Sequence, residues 1–152
     1  MVYVSNILIK LYIRNRLISQ QKEESMRNKN RDFFASYQRL AQIHSFINDI
    51  ANQNPSFASI EVIGTSTQGR ELRMIKLGVN HQANSKPVIW MDGGIHAREW
   101  ISPATVSYFI QYLVDGWKAN NADVVRLVTV FDWYILPVAN PDGYEYTHTN
   151  VK

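Results

Sequence analysis

Hydrophobic residues recur three or four positions apart in several stretches of the chain, which is the spacing of an amphipathic helix. One stretch is stopped by Asn54-Pro55 and predicts a helix of about four turns built on Leu40, Ile43, Ile47 and Ile50. A longer stretch starts with the N-cap and first-turn chemistry of Ser102-Pro103 and continues to Lys118. A third, shorter helix is predicted to be capped by Asp123 and to end near Val128.

Other runs have the composition of β-strands. Ser59–Gly64 and Arg70–Gly78 flank a segment rich in turn-forming residues, so they are expected to form an antiparallel hairpin. Pro87–Met91 is apolar on both faces and is a candidate central strand. Phe131–Ala139 is also strand-like, but Pro137 within it indicates an edge, an end or a bulge.

The order of these elements predicts the fold class. The hairpin is antiparallel, whereas a helical crossover from Met91 to Phe131 would join parallel strands. Helices therefore alternate with strands, which favours an α/β fold with a mixed parallel and antiparallel sheet and flanking helices. Asn140-Pro141-Asp142-Gly143 predicts a turn after the last strand.

Composition narrows the possible chemistry. The 152 residues are 45% hydrophobic, which is ordinary for a globular protein, and they include no cysteine. A disulfide framework and a cysteine zinc cluster are therefore excluded, and any metal must be held by histidine and carboxylates.

Charge is distributed unevenly along the chain. Residues 1–31 contain seven basic and two acidic residues, a net charge of +5, while nine basic and eleven acidic residues give −2 over residues 32–152. Because the predicted globular part has no basic excess, we expect no nucleic-acid partner. The basic arm could instead tether the protein to a polyanionic surface.

The sequence does not predict a membrane partner or a signal peptide. No stretch reaches the ~18 apolar residues that a membrane-spanning helix needs. The apolar run Val2–Ile9 has no basic region before it and no small-residue cleavage site after it, so we do not interpret it as a signal peptide.

The segment with the most chemical content is Gly93–Trp100, between the end of a predicted strand and the start of the longest helix. Ligands of open α/β sheets bind at such positions. His96 and Glu99 carry good zinc donors, and a tight turn could direct both at one ion. The spacing alone is common by chance, and by itself it favours a solvent-facing loop with an Arg98–Glu99 surface pair over a zinc site.

The full string Gly94–Ala104 closely resembles the zinc-binding loop of the metallocarboxypeptidases of the carboxypeptidase A/B family. Three further stretches resemble that family in the same order, namely Thr67–Arg70, Asp132–Val138 and Ala139–His148. The resemblance spans about Phe34–Lys152. It implies the fold of a zinc-dependent exopeptidase and a hydrolase that removes the C-terminal residue of peptides and proteins.

The resemblance also implies roles for individual residues. One zinc ion would be held by His96, Glu99 and a second histidine further along the family's chain. Arg98 would line the substrate cleft and polarise the scissile carbonyl or bind the peptide backbone, with a surface ion pair as the alternative. His148 matches a family histidine that is not a metal ligand.

The match ends with Lys152, before the family's third zinc ligand, its glutamate general base and its specificity residues. Residues 32–152 therefore resemble the N-terminal half of the catalytic domain, and we expect this chain alone to be inactive and prone to aggregation. The alternative is a truncated isoform or gene fragment that acts as a non-catalytic binding module.

Residues 1–31 also fit the family, although loosely. Its members are often secreted zymogens with an inhibitory pro-segment, and the arm could be the tail of one. Arg27–Arg31 would then be the region cut by an activating trypsin-like protease. An unrelated flexible tail or a misplaced gene start fits equally well.

Overall fold

The computed structural model describes residues 33–83 and 85–149 of the chain. Its strands are β1 (Ala58–Thr65), β2 (Glu71–Leu77), β3 (Val88–Asp92) and β4 (Asp132–Leu136). Its α-helices are α1 (Leu40–Gln53), α2 (Ile101–Lys118), α3 (Ala122–Val130) and α4 (Pro141–Thr149). Short 3-10 turns lie at Phe33–Ala35 and His81–Ala83. The basic arm 1–31 and the Val2–Ile9 run lie outside the described residues, so the predictions about them stay predictions.

The four strands form one sheet in the order β1-β2-β4-β3. β2 pairs antiparallel with both β1 and β4, and β3 pairs parallel with β4 across the helical crossover. The mixed sheet, the hairpin and the parallel crossover predicted from the sequence are therefore confirmed.

The prediction that Pro87–Met91 forms a central strand is wrong for the part of the sheet that the structure describes. β4 makes ladders with both β2 and β3, so β4 is the inner strand and β3 lies at an edge. As a result Val88 and Trp90 are about half exposed, at 49% and 50%. Pro137 directly follows β4, so of the three positions considered for it, the strand end is correct.

The main core forms where α1, α2 and α3 pack against β2 and β4, and fully buried members include Ile47, Ile75, Ile110, Val124 and Ile135. The buried face of α1 consists of the four residues whose spacing predicted the helix. A second cluster lies between the start of α1 and α4, and it contains Leu40, Ile43, Trp100, Val138 and Tyr144. This second cluster supports the segment that carries the candidate metal donors.

Three helix starts differ from the prediction. α2 begins at Ile101, and Ser102 does not cap it, because its Oγ accepts a hydrogen bond from the Gly94 N–H at 3.1 Å. α3 is capped by the Asn121 side chain, which accepts from the backbone N–H groups of Asp123 and Val124, so Asp123 is not the cap.

The third difference is at Asn140–Gly143, which is not an isolated turn but the start of α4. Asn140 Oδ1 accepts from the Gly143 N–H at 3.0 Å, and Pro141 occupies the first helical position. An asparagine cap followed by proline is favourable there, because proline lacks the N–H that a first-turn residue leaves unpaired. Among the described helices, none is long and apolar enough to span a membrane.

Candidate metal centre

The Gly93–Trp100 loop leaves the end of β3 and enters α2. Because β3 and β4 are parallel, both end on the same side of the sheet, and the segment after β4 lies against the loop. Backbone hydrogen bonds join the two segments, from Gly93 N to Leu136 O at 3.0 Å and from Ala139 N to Gly93 O at 2.7 Å. Gly94 has a φ of 67° and would place a Cβ 2.9 Å from Pro103 Cγ, so the loop needs glycine at this position.

The loop brings His96 and Glu99 together. A tight turn closes between them, with the Glu99 N–H donating to the His96 carbonyl at 3.0 Å. His96 Nδ1 then lies 3.3 Å from Glu99 Oε1. Their side chains are 71% and 54% exposed, so an ion from solvent can reach both donor atoms.

The donor pair fits a zinc ion. Zinc binds imidazole nitrogen and carboxylate oxygen at ~2.0–2.2 Å with tetrahedral geometry, which places two donors of one ion roughly 3.4 Å apart. The separation of 3.3 Å between His96 Nδ1 and Glu99 Oε1 agrees with that value. Within residues 33–83 and 85–149, no group of three or more His, Cys, Asp or Glu side chains could hold a metal ion. The described residues therefore contain a pair of candidate donors at this loop, whereas a catalytic zinc site uses three protein ligands.

An open depression of about 480 Å³ surrounds the donor pair. Arg98 lines it together with His96 and Glu99, and α4 contributes Thr147 to its wall. Glu99 faces His96, and the described residues show no ion pair for Arg98, so they do not form the Arg98–Glu99 surface pair considered as an alternative. Arg98 is exposed to solvent.

The other three histidines have different surroundings. His81 is buried, with Nδ1 3.2 Å from Gly78 O and Nε2 3.0 Å from Ser59 Oγ. His148 is buried on α4, where its ring stacks on Trp100 at 3.9 Å. His44 is half-buried on α1. His96 is the histidine of the described chain that lines the depression.

Sequence reasoning missed the contribution of α4 to this site. Asn140 and Thr147 line the depression, and Asp142 of α4 accepts hydrogen bonds from Ser66 Oγ at 2.7 Å and from the Gln68 N–H at 3.0 Å. Asp142 also pairs with Arg70 at 2.7 Å, so the β1–β2 turn is attached to α4. The sequence feature that could have predicted α4 is Asn140-Pro141, because this dipeptide is typical of a helix start as well as of a turn.

Comparison with known proteins identifies a family model and several relatives that this chain matches. Residues 43–152 match the family model described as zinc carboxypeptidase. The chain is 38% identical to a carboxypeptidase B of Helicoverpa zea, over 99% of this chain and 35% of that protein. It is also 38% identical to a carboxypeptidase B of Astacus astacus, over 77% of this chain and 37% of that protein.

Among solved structures, the crystal structure of thrombin activatable fibrinolysis inhibitor superimposes with a TM-score of 0.76 at 32% identity. The superposition covers 90% of this chain and 34% of that one. The chain thus spans about a third of the length of the relatives that it matches.

Proposed function

Because the chain belongs to the zinc carboxypeptidase family, we propose that it supplies the first two zinc ligands, His96 and Glu99, of an enzyme that hydrolyses the C-terminal peptide bond of peptides and proteins. The observation that carries the proposal is the 3.3 Å approach of His96 Nδ1 and Glu99 Oε1 at the exposed end of the sheet. A third protein donor would come from residues other than those described here.

The two donors have complementary properties. A neutral imidazole offers a nitrogen lone pair, and a carboxylate adds the negative charge that partly neutralises a divalent cation. When bound, zinc supplies Lewis acidity to a peptide carbonyl and to water. The chain's own contribution is to keep His96 Nδ1 and Glu99 Oε1 at the spacing that one ion requires.

Arg98 is proposed to bind substrate. Its guanidinium stays charged at any physiological pH and presents several N–H donors, which suits it to the carbonyl oxygens of a peptide. It lines the same depression as the donor pair, so a peptide reaching the metal passes beside it. The proposed partners are therefore peptide and protein C-termini.

Two finer parts of the proposal follow from family membership. We propose that the enzyme is secreted, and that residues 1–31 are the end of a pro-segment removed by a trypsin-like protease. The basic residues of Arg27–Arg31 offer such a protease its cleavage sites. The domain would then begin near residue 32.

The metal part of the proposal is tested by zinc titration of the 152-residue chain against a weak chromophoric chelator. We expect the wild-type chain to bind zinc. His96→Ala and Glu99→Gln should each weaken the zinc affinity at least tenfold, because each substitution removes one of the two donors. The controls are His44→Ala and Glu61→Gln, which make the same changes away from the depression and leave zinc affinity within twofold. Unchanged affinity in both donor variants contradicts the proposal.

The activity is tested in a chimera, in which residues 43–152 replace the matched segment of the Astacus astacus carboxypeptidase B. We expect the chimera to release C-terminal residues from peptides, to lose this activity with a chelator and to regain it with zinc. His96→Ala should reduce the rate about 100-fold or more, since losing a ligand costs at least as much as losing a hydrogen-bond partner of one. Activity that survives both chelation and His96→Ala contradicts the assignment.

A further inference from the structure

Trp100 directly follows the donor Glu99, and its indole points into the protein, where it is 5% exposed. On the basis of the function proposed above, we propose that Trp100 and Thr147 are positioning residues that hold the Gly93–Trp100 loop in the conformation that binds zinc. We call this pair of residues the Trp100–Thr147 clamp.

The clamp is a hydrogen bond between residues 47 positions apart in the chain. Trp100 Nε1 donates to Thr147 Oγ1 of α4 at 2.8 Å. The hydroxyl proton of Thr147 in turn has two carbonyl acceptors within reach, Tyr144 O at 2.8 Å and Ala97 O at 3.3 Å. Thr147 therefore contacts the loop at Ala97 and at Trp100, on the two sides of Arg98 and Glu99.

Burial makes the clamp hard to open. The Trp100 ring stacks on His148 with 3.9 Å between ring centroids, and Tyr37 approaches it edge-on at 5.9 Å. Trp100 is 5% exposed, so loss of the acceptor leaves a donor on a largely buried side chain, and opening the bond carries a desolvation cost. The Trp100–Thr147 clamp therefore restrains the backbone next to Glu99.

The helix that carries Thr147 is attached independently of the loop. Glu145 of α4 pairs with Arg39 and accepts a hydrogen bond from the Leu40 N–H at 3.0 Å. Tyr144 Oη donates to Gln38 O at 2.6 Å. The start of α1 thus holds α4 through contacts that do not involve the loop.

The donor side chains need this support because they lack packing of their own. His96 and Glu99 are mostly exposed, so their neighbours do not lock their rotamers. Their 3.3 Å separation then depends on where the loop backbone places the two Cα atoms. Metal and catalytic groups need placement within about 0.5 Å, which a loosened loop does not provide.

The test measures the zinc affinity of the full chain. Its substitutions remove the hydrogen bond between Trp100 and Thr147 and keep part of the shape of each side chain. Trp100→Phe and Thr147→Val should each weaken zinc binding about tenfold. This is the lower end of the loss in metal affinity that follows when a residue supporting a metal ligand is substituted. Thr147→Ser keeps the hydroxyl and should stay within twofold of wild type. Trp100→Phe and Thr147→Val remove the same hydrogen bond. The zinc affinity of the double variant should therefore be little lower than that of the single variant that binds zinc more weakly.

The matched control is Trp90→Phe. Trp90 Nε1 donates to Asp92 Oδ1 at 3.0 Å on the strand before the loop, so the control removes an exposed indole hydrogen bond that does not touch α4. We expect its zinc affinity to stay within twofold of wild type.

Amide hydrogen exchange of the zinc-free chain separates positioning from general stability. Residues 95–99 should exchange about tenfold faster in Trp100→Phe and Thr147→Val, with the strands unchanged. If wild type binds zinc and both variants bind it equally well, the clamp proposal is wrong while the proposed function stands. If the variants lose global stability but keep zinc affinity, the two residues are only part of the core and the clamp proposal is again wrong. If wild type fails to bind zinc, the proposed function fails and the clamp proposal with it.

Discussion

His44 lies half-buried on α1, near Arg73 and Glu71 of β2. The pKa of His44 is lowered from 6.5 to about 4, mainly by burial and in addition by the Arg73 cation, while the Glu71 carboxylate acts in the opposite direction. The imidazole is therefore neutral in the folded protein over a range of pH in which the unfolded chain binds a proton. Its contribution to stability is present above the unfolded pKa and is lost as pH falls from about 6.5 to about 4.

The corresponding variant is His44→Gln, which is neutral and polar at every pH. We expect the free energy of unfolding of the wild type to fall more steeply than that of His44→Gln between pH 6.5 and pH 4, the interval between the two pKa values. Urea unfolding at low protein concentration, at several values of pH in this range, measures the difference. Parallel pH profiles would mean that His44 does not lose its proton on folding.

At the scale of the elements, α2 and α3 approach each other closely at one glycine. A Cβ on Gly116 of α2 would lie 2.5 Å from Cγ2 and 2.8 Å from Cβ of Val124 on α3. The branched valine side chain is stiff at χ1 and is itself fully buried, so it cannot move aside. Glycine at position 116 therefore sets the distance between the two helices of the crossover.

Gly116→Ala is expected to destabilise the chain by up to ~2 kcal/mol, which is the overpacking cost of ~1–3 kcal/mol less the ~1 kcal/mol that alanine gains in a helix. The control is Gly64→Ala in β1, where a Cβ meets no atom within 4 Å. This control should leave stability unchanged or raise it by up to ~1 kcal/mol. Denaturant midpoints give both values, and a stabilised Gly116→Ala would show that α3 can shift away from α2.

At the scale of the whole molecule, Lys86 connects elements that are distant in sequence. Its Nζ donates to Val79 O after β2 at 2.6 Å and to Val128 O of α3 at 3.2 Å. The same ammonium lies 2.7 Å from Asp132 Oδ1 at the start of β4, and the Asp132 side chain is 1% exposed. The Lys86 ammonium thus contacts α3, the segment after β2 and the start of β4 at the same time.

Lys86→Met should cost about 3–5 kcal/mol, because it leaves the buried Asp132 carboxylate without a counter-charge. Adding Asp132→Leu should recover part of the loss, since the orphaned charge is removed. Lys76→Met is the matched control, because Lys76 pairs with the half-exposed Glu61, and it should cost no more than ~1 kcal/mol. Equal losses from the two lysine substitutions would contradict a special role for Lys86.

The sequence by itself determined the local features of this protein. Hydrophobic spacing predicted α1 and α2, turn-forming residues predicted the β1–β2 hairpin, and a contiguous string around His96 and Glu99 identified the family. These signals are short-range, because a helix face, a turn or a metal loop is specified by residues that are neighbours in the chain. Cap residues were predicted less well at Ser102 and Asp123, since several nearby polar residues can cap a helix and only the backbone conformation selects one.

The tertiary structure decided what depends on partners distant in the chain. Within the described residues, strand order placed β3 at the edge and β4 inside, although both runs are apolar, because order depends on which ladders form and not on composition. The parallel β3–β4 pair brings α4 under the loop, where Thr147 meets Trp100. The 3.3 Å approach of the two donors is likewise a property of the folded loop, because a spacing of three residues specifies no distance between side chains in an irregular loop.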